Sequence, residues 1–298
     1  MGSVYAALLA SAGNDVSAVD VDEDHVEAIR ARGLRVSGVS GDRTVSISAT
    51  TDAGEVGEVE LVVIATKSMA ARAAAESAGP LIGSETTVLT IQNGLGAADV
   101  VAEAVGSERL VVGVAGGFGA SLVGPGHAHH HGMELVRLGE RSGPVTARTK
   151  RIADAWRRAG FEVRTYDDVN RLLWEKLICN ACFAGIGGLL ELTIGEVIDN
   201  PHAWSVASCC AQEALDVALA HGVALDIPDC EQYVLEYGRA IPAARPSLLL
   251  DLLAGRPTEV EWINGAVPRE GAKVGVPAPA NELVTKLVLA KEAVRVGA

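Results

Sequence analysis

The feature that most constrains the fold is a change of pattern at Asp168. Before it short β-branched runs alternate with helical stretches, and after it only helical stretches remain. The first part reads as a helix around Leu8 and Leu9, a short strand over 16–19, a helix over 24–32 and a buried strand over 61–65. It continues with a helix through 69–78, a strand over 87–91, a helix from Ala97, a strand over 110–114, and a helix and strand ending near Tyr166. Strands separated by helices imply an α/β fold with a doubly wound parallel sheet, whose dinucleotide crevice lies where the strand order reverses. The later segments, 171–190, 202–221, 231–239 and 259–273, all have helical length and period. A dinucleotide-binding domain over 1–168 and an all-helical substrate domain over 169–298 are expected. Thr193-Ile-Gly-Glu196 and Thr258-Glu-Val-Glu261 both match a capping box, in which hydroxyl and carboxylate satisfy free backbone donors reciprocally.

Composition narrows the partners. Hydrophobic residues make up 49% of the chain and aromatics 4%, so an aliphatic, alanine-rich core is expected. A net charge of −13 argues against nucleic acid, whose binding needs clustered lysine and arginine. The longest apolar run, 178–190, is too short for a bilayer span, so no membrane partner is expected and the chain reads as soluble. No basic segment and cleavage site precede an apolar run, and Ala6 breaks a myristoylation pattern, so a cytoplasmic location is the default. The apolar helical part could supply a homodimer face.

Five cysteines, Cys179, Cys182, Cys209, Cys210 and Cys230, read mostly as buried reduced thiols. Cys179-Asn-Ala-Cys182 lacks the second pair that a zinc site would need. The run Gly126-His127-Ala-His129-His130-His131-Gly132 reads as a hairpin and not a metal site, because neighbours in a strand point to opposite faces. No metal is expected.

Several polar residues stand in apolar surroundings, where they need partners or perform chemistry. Lys176 and Asn180 are one helical turn apart among Leu177, Ile178, Cys179, Ala181 and Phe183. Either Lys176 reaches solvent beside Glu175 while Asn180 bonds a carbonyl, or both face a cleft. Ser247 follows Pro246 and reads as an N-cap, and Glu259 reads as a first-turn acid favoured by the helix dipole. Asn93 lies in a Q-N-G turn, Lys67 in a loop after a buried strand, and Asp20 at the end of a strand beside Asp22, Glu23 and Asp24.

The segments W-E-K-L-I-C-N (174–180), T-E-V-E-W-I-N-G (258–265) and T-I-Q-N-G-L-G (90–96) resemble those of the ketopantoate reductase (2-dehydropantoate 2-reductase) family. The resemblance covers nearly the whole chain. It implies hydride transfer from NADP or NAD in reduced form to C2 of a small-molecule 2-oxo acid, 2-dehydropantoate, giving pantoate for pantothenate and coenzyme A synthesis. It further implies Lys176 as general acid, its pKa of about 10.4 lowered by partial desolvation, with Glu259 as its catalytic neighbour. Asn93, Asn180 and Ser247 are implied as substrate contacts, Asn93 also lying near the nicotinamide. Glu259 is preferred to Glu261 because the expected capping box occupies the latter. Ala184 stands where the family often has a second asparagine, which opens the alternative of another 2-oxo acid.

Met1-Gly2-Ser3 resembles the tail of the family's G-x-G-x-M-G-S motif, so Gly2 and Ser3 are implied cofactor contacts of a Rossmann-type fold. The first strand is missing, and two explanations stand: a start codon further upstream, or a degenerate, cofactor-poor paralogue kept as a non-catalytic partner. Asp20, 18 residues past Gly2, is placed to accept from the ribose hydroxyls of NAD. Val21 occupies the position where NADP users commonly carry arginine, which weakens NADP, whereas Lys67 matches a lysine able to approach the adenosine phosphate.

Overall fold

The computed structural model describes residues 1–117, 119–132 and 135–296. Two compact units divide it, Met1–Gln92 with Ala97–Val169, and Asn93–Gly96 with Asn170–Ala298.

The first unit runs α1 (Gly2–Ser11), β1 (Ser17–Val19), α2 (Glu23–Arg32), β2 (Leu34–Gly38), β3 (Arg43–Val45), β4 (Ser48–Thr50), β5 (Leu61–Ile64), α3 (Ala71–Ser77), β6 (Thr87–Thr90) and α4 (Ala97–Val105). It ends with β7 (Leu110–Ala115), β8 (Gly119–Gly124), β9 (His127–Gly132), β10 (Leu135–Glu140), α5 (Ala147–Arg158) and β11 (Glu162–Thr165). Its five-stranded sheet has the order β11-β10-β7-β6-β5. The central β6 is buried at every residue, as a strand covered on both faces should be.

The unit is Rossmann-like, but its main sheet is mixed where a fully parallel one was expected. β5, β6 and β7 run parallel, whereas β10 pairs antiparallel with β7. The cause is the connection. A helical crossover returns a strand parallel, but the chain leaves β7 through the β8–β9 hairpin and comes back reversed. β1 and β4 form a separate parallel pair, while β5 is the edge of the five-stranded sheet beside β6.

Sequence periodicity missed β2 and β3. They join β8 and β9 in a four-stranded sheet of order β3-β2-β9-β8. The histidine-rich run forms the hairpin strand β9, with the Ser37 hydroxyl between His127 Nε2 (2.9 Å) and His129 Nδ1 (3.2 Å), and Ser121 on His131 (2.8 Å). Among the described residues no three His, Cys, Asp or Glu side chains are grouped to hold a metal ion.

The core of this unit centres on Trp156, with Tyr5 and Phe161 rings each 4.9 Å away. At its edge burial alone would push the Glu140 carboxyl up, but Arg148, Thr146 and Thr149 bond it and hold it below the usual carboxylate range.

The second unit is helical: α6 (Val169–Leu190), α7 (Ile194–Asp199), α8 (Pro201–Ala220), α9 (Cys230–Ala240), α10 (Ser247–Leu253), α11 (Ala266–Val274) and α12 (Pro279–Val296). Four of the cysteines are buried here and none is disulfide-bonded. Burial pushes the Cys179 thiol up to about 12 and that of Cys230 to about 11, so neither is a ready thiolate. With its first residues included, α6 is long and apolar enough to cross a membrane, and 72% of its most apolar stretch is buried within the protein. Gly185, Gly187 and Gly188 let neighbours approach closely: an added Cβ would lie 2.2 Å from Val284, 2.9 Å from Pro246 and 2.2 Å from Leu248 respectively.

Candidate active site

Each unit carries part of the predicted constellation. In the first, the carboxyl ends of parallel strands meet a helix N-terminus, the arrangement that favours a phosphate-bearing ligand. Gly2 opens α1, where a Cβ would lie 3.4 Å from that of Ala65, just past β5. No side chain caps α1, and no acid lies in its first turn. Ser3 bonds His25 (3.2 Å). Gln92, just beyond β6, donates to the carbonyls of Ile64 (2.7 Å) and Thr66 (3.2 Å), fixing the turn before Lys67. Lys67 opens a single 3₁₀ turn at Ser68–Ala70. Asp20 is exposed after β1 and accepts from the Asp22 N–H (3.1 Å), and Val21 is fully in solvent.

In the second unit the Lys176 ammonium donates to Asn93 Oδ1 at 2.7 Å. Both residues are half-buried, and Asn180 is half-buried one turn further along α6. This partner of Lys176 comes from a segment 83 residues earlier. That segment, 93–96, is held by the 259–265 turn: the Leu95 N–H donates to the Trp262 carbonyl (2.8 Å). Gly94 makes this approach feasible, with φ at +80° and a would-be Cβ only 2.1 Å from the Trp262 oxygen. Glu259 is 8% exposed and immediately precedes a 3₁₀ turn, Val260–Trp262.

Two expectations for this region are corrected. Residues 259–273 do not form one helix, because a 3₁₀ turn precedes Ile263 and α11 starts only at Ala266. Nor does Thr258 form a capping box with Glu261; its N–H donates to Glu292 of α12 (3.0 Å), as does its hydroxyl. The capping-box ground for preferring Glu259 to Glu261 thus disappears, but burial separates them, since Glu261 is exposed. By contrast, the Thr193–Glu196 box is present in full.

Ser247 is likewise not an N-cap. It is the first residue of α10 after Pro246, exposed, and its side chain makes no capping bond. Pro246 packs against Gly187 of α6, which sets the start of α10 beside that helix. Ala184 is buried.

Sequence reading missed Asn264, Trp262 and Arg269. Asn264 is fully buried and donates to the Ala181 carbonyl and to Asn281 Oδ1, both at 2.9 Å, tying the turn to α6 just beyond Asn180. Its signal was available: an asparagine between isoleucine and glycine in an apolar segment needs buried partners. Arg269 has an ordinary surface-arginine context and carries no such signal.

A Rossmann-like unit followed by a helical unit that holds a lysine–amide pair defines the class: a two-unit oxidoreductase. The family model described as "Ketopantoate reductase PanE/ApbA" matches residues 1–143, and its C-terminal counterpart matches 168–292. A 2-dehydropantoate 2-reductase of Streptococcus pyogenes serotype M1 is 31% identical over 295 residues, covering 99% of this chain and 95% of the relative. Among solved structures, 2-dehydropantoate 2-reductase of Geobacter metallireducens GS-15 superposes with a TM-score of 0.88 at 32% identity, covering 97% of this chain and 96% of that one. A ternary structure of D-mandelate dehydrogenase with NADH and anilino(oxo)acetate gives 0.90 at 26% identity, covering 99% and 96%. The chain belongs to the ketopantoate reductase family.

Proposed function

We propose that the protein reduces the C2 ketone of 2-dehydropantoate to pantoate, with Lys176 as general acid. The observation that carries this reading is the 2.7 Å bond between Lys176 Nζ and Asn93 Oδ1. The amide oxygen orients the ammonium, a positively charged donor suited to the oxyanion that forms as hydride reaches the carbon. The bound nicotinamide supplies the hydride. Lys176 supplies the proton to the alkoxide, and the buried Glu259 carboxylate beside the 3₁₀ turn orders the cationic site.

Cofactor binding is assigned to the first unit. The uncapped N-terminus of α1 at Gly2 and Ser3 suits the pyrophosphate, Asp20 the ribose hydroxyls, and Lys67 an adenosine phosphate. Asn93 is assigned to nicotinamide and substrate, and Asn180 and Ser247 to the substrate. With Asp20 exposed and Val21 in solvent, NADH is as reasonable a donor as NADPH.

The test is the loss of reduced-cofactor absorbance with 2-dehydropantoate, offering NADPH and NADH separately. Lys176→Ala is expected to lower kcat by about 10²–10⁴-fold while cofactor affinity holds. Equal turnover by wild type and variant would refute the role of Lys176. A second reading, reduction of another 2-oxo acid, is favoured by the buried, apolar Ala184 and by the aryl-substituted ligand of the mandelate dehydrogenase neighbour. Turnover of a 2-oxo acid panel with 2-dehydropantoate inert would select it.

A further inference from the structure

We propose that Arg269 is a positioning residue for the lysine–asparagine pair, acting as a latch on the 93–96 segment; this rests on the functional reading of Lys176 given above. One guanidinium makes three contacts that converge on the segment and on the turn beneath it. Arg269 Nη2 donates to the Leu95 carbonyl at 2.8 Å and Nη1 to the Glu261 carbonyl at 3.1 Å. Its carbon lies 5.6 Å from the Trp262 ring centre, within cation–π range. With the Leu95 N–H bonded to the Trp262 carbonyl, both backbone groups of Leu95 are taken, one by the turn and one by Arg269 of α11. Asn93 is two residues away, so its side-chain oxygen reaches Lys176 only while the segment is held.

The latch is built for arginine. A planar fork can donate to two carbonyls and stack on an indole at once, whereas a lysine offers a point charge with no plane to stack. Room for the fork is made by Gly96, where an added Cβ would sit 2.9 Å from Nη2. The side chain is 40% exposed, so removing it opens no buried cavity. Its neighbour Glu270 keeps Lys273 at 2.7 Å as an ion-pair partner. Loss of Arg269 should therefore free the segment without unfolding the helical unit.

Arg269→Ala and Arg269→Lys test this by steady-state kinetics and by hydrogen exchange of the peptide covering 90–98. Both variants are expected to lose about tenfold or more in kcat, since small misplacements of catalytic groups are costly, with the cofactor dissociation constant within about twofold of wild type. Exchange at 90–98 should quicken and that of α8 stay unchanged. Millimolar guanidinium should restore part of the kcat of Arg269→Ala but not of Arg269→Lys, whose side chain fills the site. A kcat within about twofold of wild type with unchanged exchange at 90–98 would overturn the proposal, and so would lost activity that follows a lowered Tm with no change at 90–98. If the wild type turns over no 2-oxo acid, the functional reading fails, and the exchange data still decide whether the latch exists.

Discussion

Two segments of the helical unit share the pattern T-x-x-E and fold differently. At Thr193-Ile-Gly-Glu196 the threonine hydroxyl accepts from the Glu196 N–H (3.3 Å) while the Glu196 carboxylate takes the Thr193 N–H (2.7 Å), and a helix follows. At Thr258-Glu-Val-Glu261 the hydroxyl and N–H of the threonine go to Glu292, and a single 3₁₀ turn follows. The difference lies outside both motifs. A local box forms where nothing competes for the threonine, and fails where a carboxylate 34 residues away reaches it first. The second segment is therefore held by tertiary contacts, and its carbonyls at Glu261 and Trp262 are left to bind Arg269 and Leu95 instead of a helical turn.

That contrast can be broken experimentally. The largest effect is expected from Gly94→Ala, which places a Cβ against the Trp262 carbonyl at a positive φ and should drive the 93–96 segment off the turn. A fall in kcat of about 10²-fold is expected by kinetic assay, with the Thr193 box untouched. Next, Thr258→Val should cost about 1–3 kcal/mol in denaturant unfolding, because it leaves the Glu292 carboxylate short of a hydroxyl donor. Thr193→Ala should cost less, about 1 kcal/mol, the usual value of a helix cap. If the two threonine variants prove equal, the second segment is not held from outside.

The smallest effect concerns pH. The Thr193 N–H and then its hydroxyl hold the Glu196 carboxyl below the ordinary range. A depressed folded-state value means that the stabilisation is complete above the unfolded carboxylate pKa of about 4.3 and is lost as pH falls through the folded value. The Tm difference between wild type and Glu196→Gln should therefore shrink on going from neutral pH to below that range. An unchanged difference would show that the carboxylate adds nothing to the box.

Local patterns were legible where local physics decides. The strands read over 61–65 and 87–91 are found at Leu61–Ile64 and Thr87–Thr90. The helices read over 171–190, 202–221 and 231–239 were visible from their period, whereas 259–273 divides into a turn and α11. The small sheet was not legible. β2 offers only Leu34 and Val36 as buried residues, and its parallel partner β9 begins some 90 residues later, at His127. The reversed β10 also escaped, since direction depends on how a connection returns, which residue types do not state. In the candidate site, Lys176 and Asn93 stood out as polar residues in apolar or turn contexts, but their pairing depends on Gly94, Trp262 and Arg269 acting together.

The glycines of α6 have a consequence for the gene. A glycine codon is fixed by its first two bases, so any change there installs a side chain or a stop, while the third base is free. At 185, 187 and 188 the space beside the helix is already filled by Val284, Pro246 and Leu248. Those codons should therefore drift almost entirely at their third base. A saturation library scored for folded protein should show these three codons as nearly silent-only positions, set inside a helix whose exposed positions accept replacement freely.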